Sequence, residues 1–381
     1  MGQKLRTGNR KIKLLIVSVG SLVGQNILDA LEFSEFNRRD LVHITGTNSL
    51  ALTPNNFRCD ECFLVPPTAS GEYPGRIKAI IKQMKPDLIL SARDADTAAL
   101  KKLKLDDESL PGVLPYGSLE SVNLALNKWK SFLFCKKHQL PFAESITRDH
   151  SGTPDDLDKF IDKTGYPIIA KPIKGFASKG VYFVRNREEA VQFFEQDDYM
   201  LQEYLGEAGD IESYLKMLDG PKPLFTETPN ISHHTCHIPI SPEGDIREVF
   251  VLKNHHNFGA VTKLQRTDHP ELTDLATRFA EAFIDEGGYG PLSVQFRSDK
   301  IGVQKAQEMN LRTTGSTYPR LMMGQDEIGY IINWMMPEFE FPVYQRNVSG
   351  YDTIILKSLY SYRLAGDHVG ELNEKGYWQS E

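Results

Sequence analysis

The chain has 381 residues, with 44 Lys and Arg against 51 Asp and Glu, a formal charge of −7. Hydrophobic residues at 40% and charged residues at 25% exclude a mostly disordered chain, and a length of this size predicts two or three domains. The acidic balance argues against a nucleic-acid partner, which needs a basic face, while one local cluster of Lys and Arg would suffice for an anionic ligand.

Lys4, Arg6, Arg10, Lys11 and Lys13 make the first residues basic. The apolar run after them, Leu14 to Val19, is too short for a signal-peptide core or a membrane span. Arg6 stands where a myristoylation motif needs Ser or Thr. Four cysteines (Cys59, Cys62, Cys135, Cys236) are too few for a disulfide scaffold. We therefore expect a cytoplasmic protein with no membrane partner, in which the sequons at Asn230 and Asn347 are chance matches.

Residues 12–19 form an apolar, β-branched run. Gly20 and Ser21 follow, then Val23, Ile27, Ala30 and Leu31 at helical spacing. This is strand, turn, helix. Further strands are predicted at 41–46, 62–65 and 87–91, with helices at 73–84 and 94–103. Such alternation predicts a parallel sheet with helices on both faces, a Rossmann-like domain over 10–117. Gly20-Ser-Leu-Val-Gly24 is an incomplete G-x-G-x-x-G, and the second strand ends in Thr45-Gly-Thr-Asn48 with no acidic residue. We read it as a strand–helix junction rather than a dinucleotide site.

Residues 118–138 read as one helix, with Val122, Ala125, Leu126, Trp129, Phe132 and Leu133 on one face. A smaller α/β unit follows at 142–204, with strands at 143–147, 166–172, 180–184 and 199–203 and helices near 155–163 and 186–197. From 209 the chain reads as strand-rich. A helix at 270–285 carries Leu272, Leu275, Ala276, Phe279, Ala280 and Phe283 as a stripe, and strands are predicted at 291–297 and 302–311. The end, 366–381, is expected to fray. We read Trp334 as packing.

Three segments carry chemistry. In Lys171-Pro-Ile-Lys174-Gly175-Phe-Ala-Ser178-Lys179-Gly180-Val181 a strand delivers Lys171, and a loop of small residues follows. Glycines let backbone N–H groups approach an anion, Ser178 adds a donor, and Lys171, Lys174 and Lys179 add charge. This is a polyphosphate cover, with a plain Gly/Ser hairpin as the alternative. It lacks the G-K-[ST] ending of a Walker loop. Second, Glu308, Asn310 and Arg312 alternate on one strand, and Gln295 on the preceding strand can face the same cleft. One carboxylate and two amide oxygens suit Mg²⁺, with phosphates supplying other ligands. Arg312 can grip a phosphate by a bidentate contact. Third, Tyr199-Met-Leu-Gln202-Glu203-Tyr204-Leu205 ends a strand and leads to Gly209-Asp210-Ile-Glu212, a crossing whose free backbone groups could read an adenine edge.

The order of the three, as phosphate loop, hinge and metal strands, resembles the ATP-grasp superfamily, in particular members similar to one half of the carbamoyl-phosphate synthetase large subunit. The resemblance spans roughly 12–325. It rests on K-P-x-x-G-x-x-S-x-G-V, on V-Q-F … E-M-N-x-R, and on Asn127-Lys128-Trp129, similar to the family's D-K element. It implies a mixed α/β chain (α+β in the catalytic part). A Rossmann-like pre-ATP-grasp domain (10–117) would precede a two-lobed ATP-grasp domain (118–345). The lid lobe would be 142–204, the metal-binding lobe 205–345, and 346–381 an extension. It implies that Lys128 and Lys171 contact ATP phosphates under the 174–180 loop, with Lys174, Ser178 and Gly180. Gln202 lies in the hinge. Glu203 would take the adenine amino group, Tyr204 and Leu205 would give backbone contacts, and Asp210, or alternatively Glu212, would bind ribose. Gln295, Glu308 and Asn310 would hold Mg²⁺ or Mn²⁺, and Arg312 would steady the transferred phosphoryl group. Asn127 for Asp, Leu311 for Pro, and Lys216 at an often acidic strand position depart from the pattern.

The resemblance implies a ligase that activates a carboxylate as an acyl-phosphate, joins it to an amine and releases ADP and phosphate. Its partners are small-molecule carboxylates and amines, and base rates suggest a homodimer. The alternatives are bicarbonate phosphorylation of the carbamoyl-phosphate synthetase or biotin carboxylase type, and a non-catalytic ATP-binding regulator. We read His233-His234-Thr-Cys236-His237 mainly as a loop, with substrate-facing and zinc alternatives, and Cys59-Asp-Glu-Cys62 as packing rather than metal or redox.

Overall fold

The computed structural model describes residues 10–148, 152–175, 179–206, 209–219, 232–257, 260–344, 353–358 and 366–380. Four strands of the first sheet run parallel. Its strands β1 (Ile12–Val17), β2 (Val42–Asn48), β3 (Glu61–Leu64) and β4 (Leu88–Ser91) lie in the order β3-β2-β1-β4. The near-continuous apolar runs arise because both faces are covered, by α1 (Leu22–Leu31), α2 (Tyr73–Met84) and α3 (Asp94–Asp106) among others. At the β1–α1 junction a Cβ on Gly24 would lie 2.2 Å from the Val19 carbonyl oxygen. The glycine there serves helix–strand packing, as the junction reading supposes.

The expected single helix over 118–138 is two helices, α4 (Leu119–Leu126) and α5 (Lys128–Lys137). Asn127 between them is extended (φ −106°, ψ 107°), and its Oδ1 accepts from the Lys130 N–H at 3.0 Å. A cap residue needs non-helical dihedrals, so one asparagine ends the first helix and starts the second.

The lid sheet is antiparallel, in the order β5-β8-β6-β7, from β5 (Ser145–Ile146), β6 (Ile168–Pro172), β7 (Tyr182–Val184) and β8 (Tyr199–Glu203). Helices α6 (Pro154–Thr164) and α7 (Arg187–Phe194) cover one face through Leu157, Phe160, Ala190 and Phe194. The chain then forms a helix, α8 (Gly209–Asp219), where strand was expected. Lys216 is therefore helical, paired at i, i+4 with an exposed Glu212 at 2.5 Å.

The large sheet has the order β13-β12-β9-β10-β11-β14. Its strands are β9 (His233–Ile240), β10 (Phe250–Asn257), β11 (Ala260–Arg266), β12 (Gly290–Ser298), β13 (Gln304–Leu311) and β14 (Ile354–Leu356). The histidine segment read as a loop is thus a central strand. Its Cys236, Ile238 and Ile240 are apolar and inward, and the sheet claims it. Helix α9 (Pro270–Asp285) lays its expected stripe against this sheet, with Phe279 edge-to-face on Phe296 at 5.4 Å. Helices α10 (Thr317–Met322) and α11 (Glu327–Met335) pack instead on the first domain, against α1, with Leu321, Ile328, Ile331 and Ile332 in its core. The end expected to fray forms α12 (Gly366–Lys375) and β15 (Tyr377–Gln379). The latter pairs antiparallel with β3 and buries Trp378; three residues that pair and bury one indole leave too little pattern to read in sequence.

Candidate functional site

The lid and the large lobe meet at the edge strand β13. Ala306 accepts from the Ala143 N–H at 2.8 Å and donates to the Pro141 carbonyl at 3.0 Å. The free face of the lid sheet looks across this junction. Lys171 and Gln202 share that face, because Gln202 lies opposite Ile169, two residues before Lys171. Lys171 Nζ donates to Gln202 Oε1 at 2.6 Å and to the Gln307 carbonyl at 3.0 Å. Gln202 in turn donates to Ser145 Oγ at 3.1 Å. Lys128 heads α5; its Nζ donates to the Gly175 carbonyl at 3.1 Å and lies 3.7 Å from Glu308 Oε1. Both lysines are buried. Burial, only partly countered by Glu308 and reinforced by Lys128, lowers the Lys171 pKa to about 7. Two desolvated cations held beside one carboxylate are poised for a polyanion.

A register shift between Gln295 and Phe296 sets Gln295 opposite Glu308 but Phe296 opposite Ala306, so Gln307 is the extra residue of a bulge. The bulge re-aims the strand. Ala306, Met309 and Leu311 face the core, while Lys305 on one side of it and Glu308, Asn310 and Arg312 on the other turn to the cleft. Gln295 and Glu308 are cross-strand partners, and Asn310 is two residues on, opposite Ser293. Glu308 and Gln295 are half-buried and Asn310 is buried. Directly opposed residues such as Gln295 and Glu308 have Cβ atoms roughly 5 Å apart, and a diagonal neighbour such as Asn310 lies roughly 7 Å away. One carboxylate and two amides at this spacing offer the hard oxygen ligands that suit a magnesium ion. Among the described residues no group of three or more His, Cys, Asp and Glu is arranged to hold a metal.

Lys305 is a site residue the sequence reading missed. Its Nζ binds both Glu203 oxygens at 2.9 Å and Asp299 at 3.0 Å. Burial opposes its charge, but Glu203 and Asp299 outweigh burial and its pKa is raised. Glu203 Oε2 also accepts from the Glu144 N–H at 3.1 Å. Glu203 is thus anchored between the lobes by its side chain. Tyr204 and Leu205 are buried. The Tyr204 hydroxyl has no partner among the described residues, and the Arg297 guanidinium lies 5.1 Å from its ring centroid. Lys174 is exposed, and Gly180 takes φ +75°, a left-handed conformation that favours glycine. Ser178 and the side chain of Asp210 lie outside the described residues. Arg312 donates from Nε to Asp94 Oδ2 at 2.8 Å and from Nη1 to the Thr313 carbonyl at 3.0 Å.

On β9, His233, Thr235 and His237 point away from α9, on the sheet face that carries Gln295. His233 stacks on His256 (4.9 Å) and meets Asn254 at 3.2 Å; His237 meets Ser316 Oγ at 3.2 Å. Burial, with the neighbouring His256 and Arg297, lowers the His233 pKa to about 3, and burial beside Arg320 holds His237 well below its usual value. Neutral imidazoles therefore lie beside the candidate metal strands. Cys59 and Cys62 are free and buried.

The D-K variant has a local explanation. Asn127 caps the helix that presents Lys128, so Asn127→Ala is expected to cost about 1 kcal/mol in urea unfolding, and Asn127→Asp, which keeps the cap, is expected to stay near wild type.

A lid sheet and a larger sheet meeting at buried lysines have the arrangement of the ATP-grasp fold. The RimK-like ATP-grasp domain family matches residues 125–217, which hold Lys128, Lys171 and the hinge. No curated protein sequence matches the chain. Among solved structures, it is similar to N5-carboxyaminoimidazole ribonucleotide synthetase from Thermotoga maritima (TM-score 0.57, 16% identity, 88% of this chain and 77% of that one). It is also similar to the biotin carboxylase domain of the Hydrogenobacter thermophilus 2-oxoglutarate carboxylase, solved with MgADP, ADP and bicarbonate (TM-score 0.62, 14% identity, 86% and 70%). A third is an L-amino acid ligase from Bacillus licheniformis (TM-score 0.59, 14% identity, 89% and 78%). At these identities the likeness establishes the fold. Among the described residues no helix is long and apolar enough to cross a membrane.

Proposed function

We propose that this protein is an ATP-dependent carboxylate–amine ligase that activates its acid as an acyl-phosphate and releases ADP and phosphate. The observation that carries the reading is the meeting of Lys128, Lys171 and Glu308 at one junction, with Lys171 bonded to both the hinge strand and the bulge. In this reading Lys128, Lys171 and Lys174 offset phosphate charge beneath the loop of Ser178 and Gly180. Gln202, Glu203, Tyr204, Leu205 and Asp210 seat the nucleoside. Gln295, Glu308 and Asn310 would hold magnesium or manganese, which would offset the negative charge on the phosphates. Arg312 steadies the phosphoryl group. The lid, 142–204, closes on the lobe 205–345 and keeps water from the acyl-phosphate, with 10–117 as the supporting domain. The acid and amine are small cytoplasmic molecules. Similarity to an L-amino acid ligase supports the amide-forming choice.

Thermal unfolding tests the nucleotide site: Mg·ATP at 100 times its Kd is expected to add about 2.7 kcal/mol of stability. ADP release over pooled carboxylates and amines tests the chemistry. Release that depends on bicarbonate alone would move the assignment to bicarbonate phosphorylation, and stabilisation without release to a regulator.

A further inference from the structure

We propose that Asp94, in the first domain, is the positioning residue for Arg312, so that the first domain aims the guanidinium at the transferring phosphoryl group. This rests on the role given to Arg312 above. Asp94 opens α3, directly after the carboxyl end of β4. That strand lies beside β1, on the far side from β2 and β3, where the strand order reverses. In open α/β sheets this switch point is where the carboxyl ends of strands turn toward a ligand. Here it turns toward the large lobe. Arg312 Nε donates to Asp94 Oδ2 at 2.8 Å, and each side chain is 16% exposed. The pair is therefore only partly screened, unlike a surface salt bridge.

The rest of the segment is braced. Two residues on, fully buried Asp96 accepts from Ser18 Oγ at 2.6 Å, from Thr68 Oγ1 and from the Tyr73 hydroxyl at 3.2 Å, tying the start of α3 to the loops after β1 and β3. Asp94 is thus presented from a fixed base. Arg312 uses Nε for Asp94 and one Nη1 proton for the Thr313 carbonyl. Among the described residues its Nη2 has no partner. The two engaged donors fix the plane of the guanidinium, and Nη2, with the second Nη1 proton, is left as the free end of the fork for phosphate oxygens. Asp94 lies a domain away from the metal ligands in sequence, and its charge keeps the fork oriented before substrate arrives. Preorganisation of this kind governs rate more than affinity, because a misplacement of about 1 Å can cost 10²-fold.

The test compares Asp94→Asn, Asp94→Glu and Arg312→Lys with wild type. The probes are Mg·ADP and Mg·ADP with fluoroaluminate, a planar stand-in for the phosphoryl group. Asp94→Asn is expected to keep the thermal shift with Mg·ADP, to lose most of the additional shift with fluoroaluminate, and to lower the rate of ADP release about 10–100-fold with KM for ATP little changed. Asp94→Glu is expected to recover part of both, and the double variant Asp94→Asn/Arg312→Lys to be no worse than Arg312→Lys alone. An Asp94→Asn protein that keeps the fluoroaluminate shift and the rate would overturn the proposal. So would one whose losses all track a lowered Tm in the absence of nucleotide, or add fully to those of Arg312→Lys. A wild type that ignores Mg·ADP, Mg·ATP and fluoroaluminate alike would instead remove the ligase reading, and this inference with it.

Discussion

Replacing Lys171 with Met is expected to lower ATP-dependent ADP release by 10²–10³-fold while leaving the protein folded. The side chain ends in a buried ammonium between Gln202 Oε1 and the Gln307 carbonyl, and burial has already brought its pKa to about 7. Met matches the length of the stem and removes the desolvated charge. Two acceptors lose a donor, at a cost of roughly 1–3 kcal/mol each if nothing replaces it, and relief of the buried charge offsets part of that. The catalytic loss has no such compensation, because a fixed cation beside a transferring phosphate acts most strongly in the transition state. Calorimetry and steady-state ADP release check both halves. The pH dependence gives a second signature. In the folded protein this lysine titrates near 7, against 10.5 for an ordinary lysine. Between those values the unfolded chain binds more protons than the folded one, so stability of the ligand-free protein is expected to rise with pH across that window and to level off outside it. A bound triphosphate returns the proton to Lys171. Mg·ATP binding above pH 7 is therefore expected to take up a proton and to weaken with pH by as much as tenfold per unit. Titration in buffers of different ionisation enthalpy reads that uptake directly, and Lys171→Met should abolish it. A wild type that binds Mg·ATP with no proton uptake near pH 8 would place Lys171 away from the phosphates.

Much of the fold could be read without coordinates. Periodicity placed β1 to β4, the lid elements and α9 within a few residues, because each buries a regular apolar pattern. That Lys171 and Glu308 share one cleft was an expectation of the family resemblance that the motif order carries. What escaped depended on single-residue interruptions of pattern. Alternation carried back from Glu308 puts Lys305 on the opposite face, and only the bulge at Gln307 brings it into the cleft to bind Glu203. Asn127 splits a continuous apolar stripe by capping, which no hydrophobic period records. Asp94 sits 218 residues from Arg312, and nothing local in either segment signals the pair. The histidine strand looked like a loop because its outward positions are polar, although its inward ones, Cys236, Ile238 and Ile240, are core.

Glu308→Gln is the second change expected to have a large effect, and it separates the metal from the phosphate grip. Glutamine keeps the size of the side chain and one oxygen ligand but removes the sole carboxylate among Gln295, Glu308 and Asn310. Magnesium favours hard anionic oxygen, so the Mg²⁺-dependent part of ATP binding should fall and ADP release should drop by roughly 10²–10³-fold. The same carboxylate lies 3.7 Å from Lys128 and raises the Lys171 pKa against burial. At about 4 Å and an effective dielectric near 20 the raw attraction between two charges is about 4 kcal/mol, largely offset by desolvation. Without it, Lys128 and Lys171 face each other unbuffered, and the Lys171 pKa is expected to move further down. The rise of ligand-free stability with pH should then begin below pH 7, a displacement that loss of a metal ligand alone would not produce. Thermal unfolding from pH 5 to 10, with and without Mg²⁺ and ATP, resolves the two effects in one series. Were Glu308→Gln to lose Mg²⁺ dependence while its ligand-free pH profile stayed on that of the wild type, Glu308 would be a metal ligand without the electrostatic tie to Lys171. Were the profile to shift and Mg²⁺ dependence persist, the carboxylate would serve the lysines and the metal would be held elsewhere.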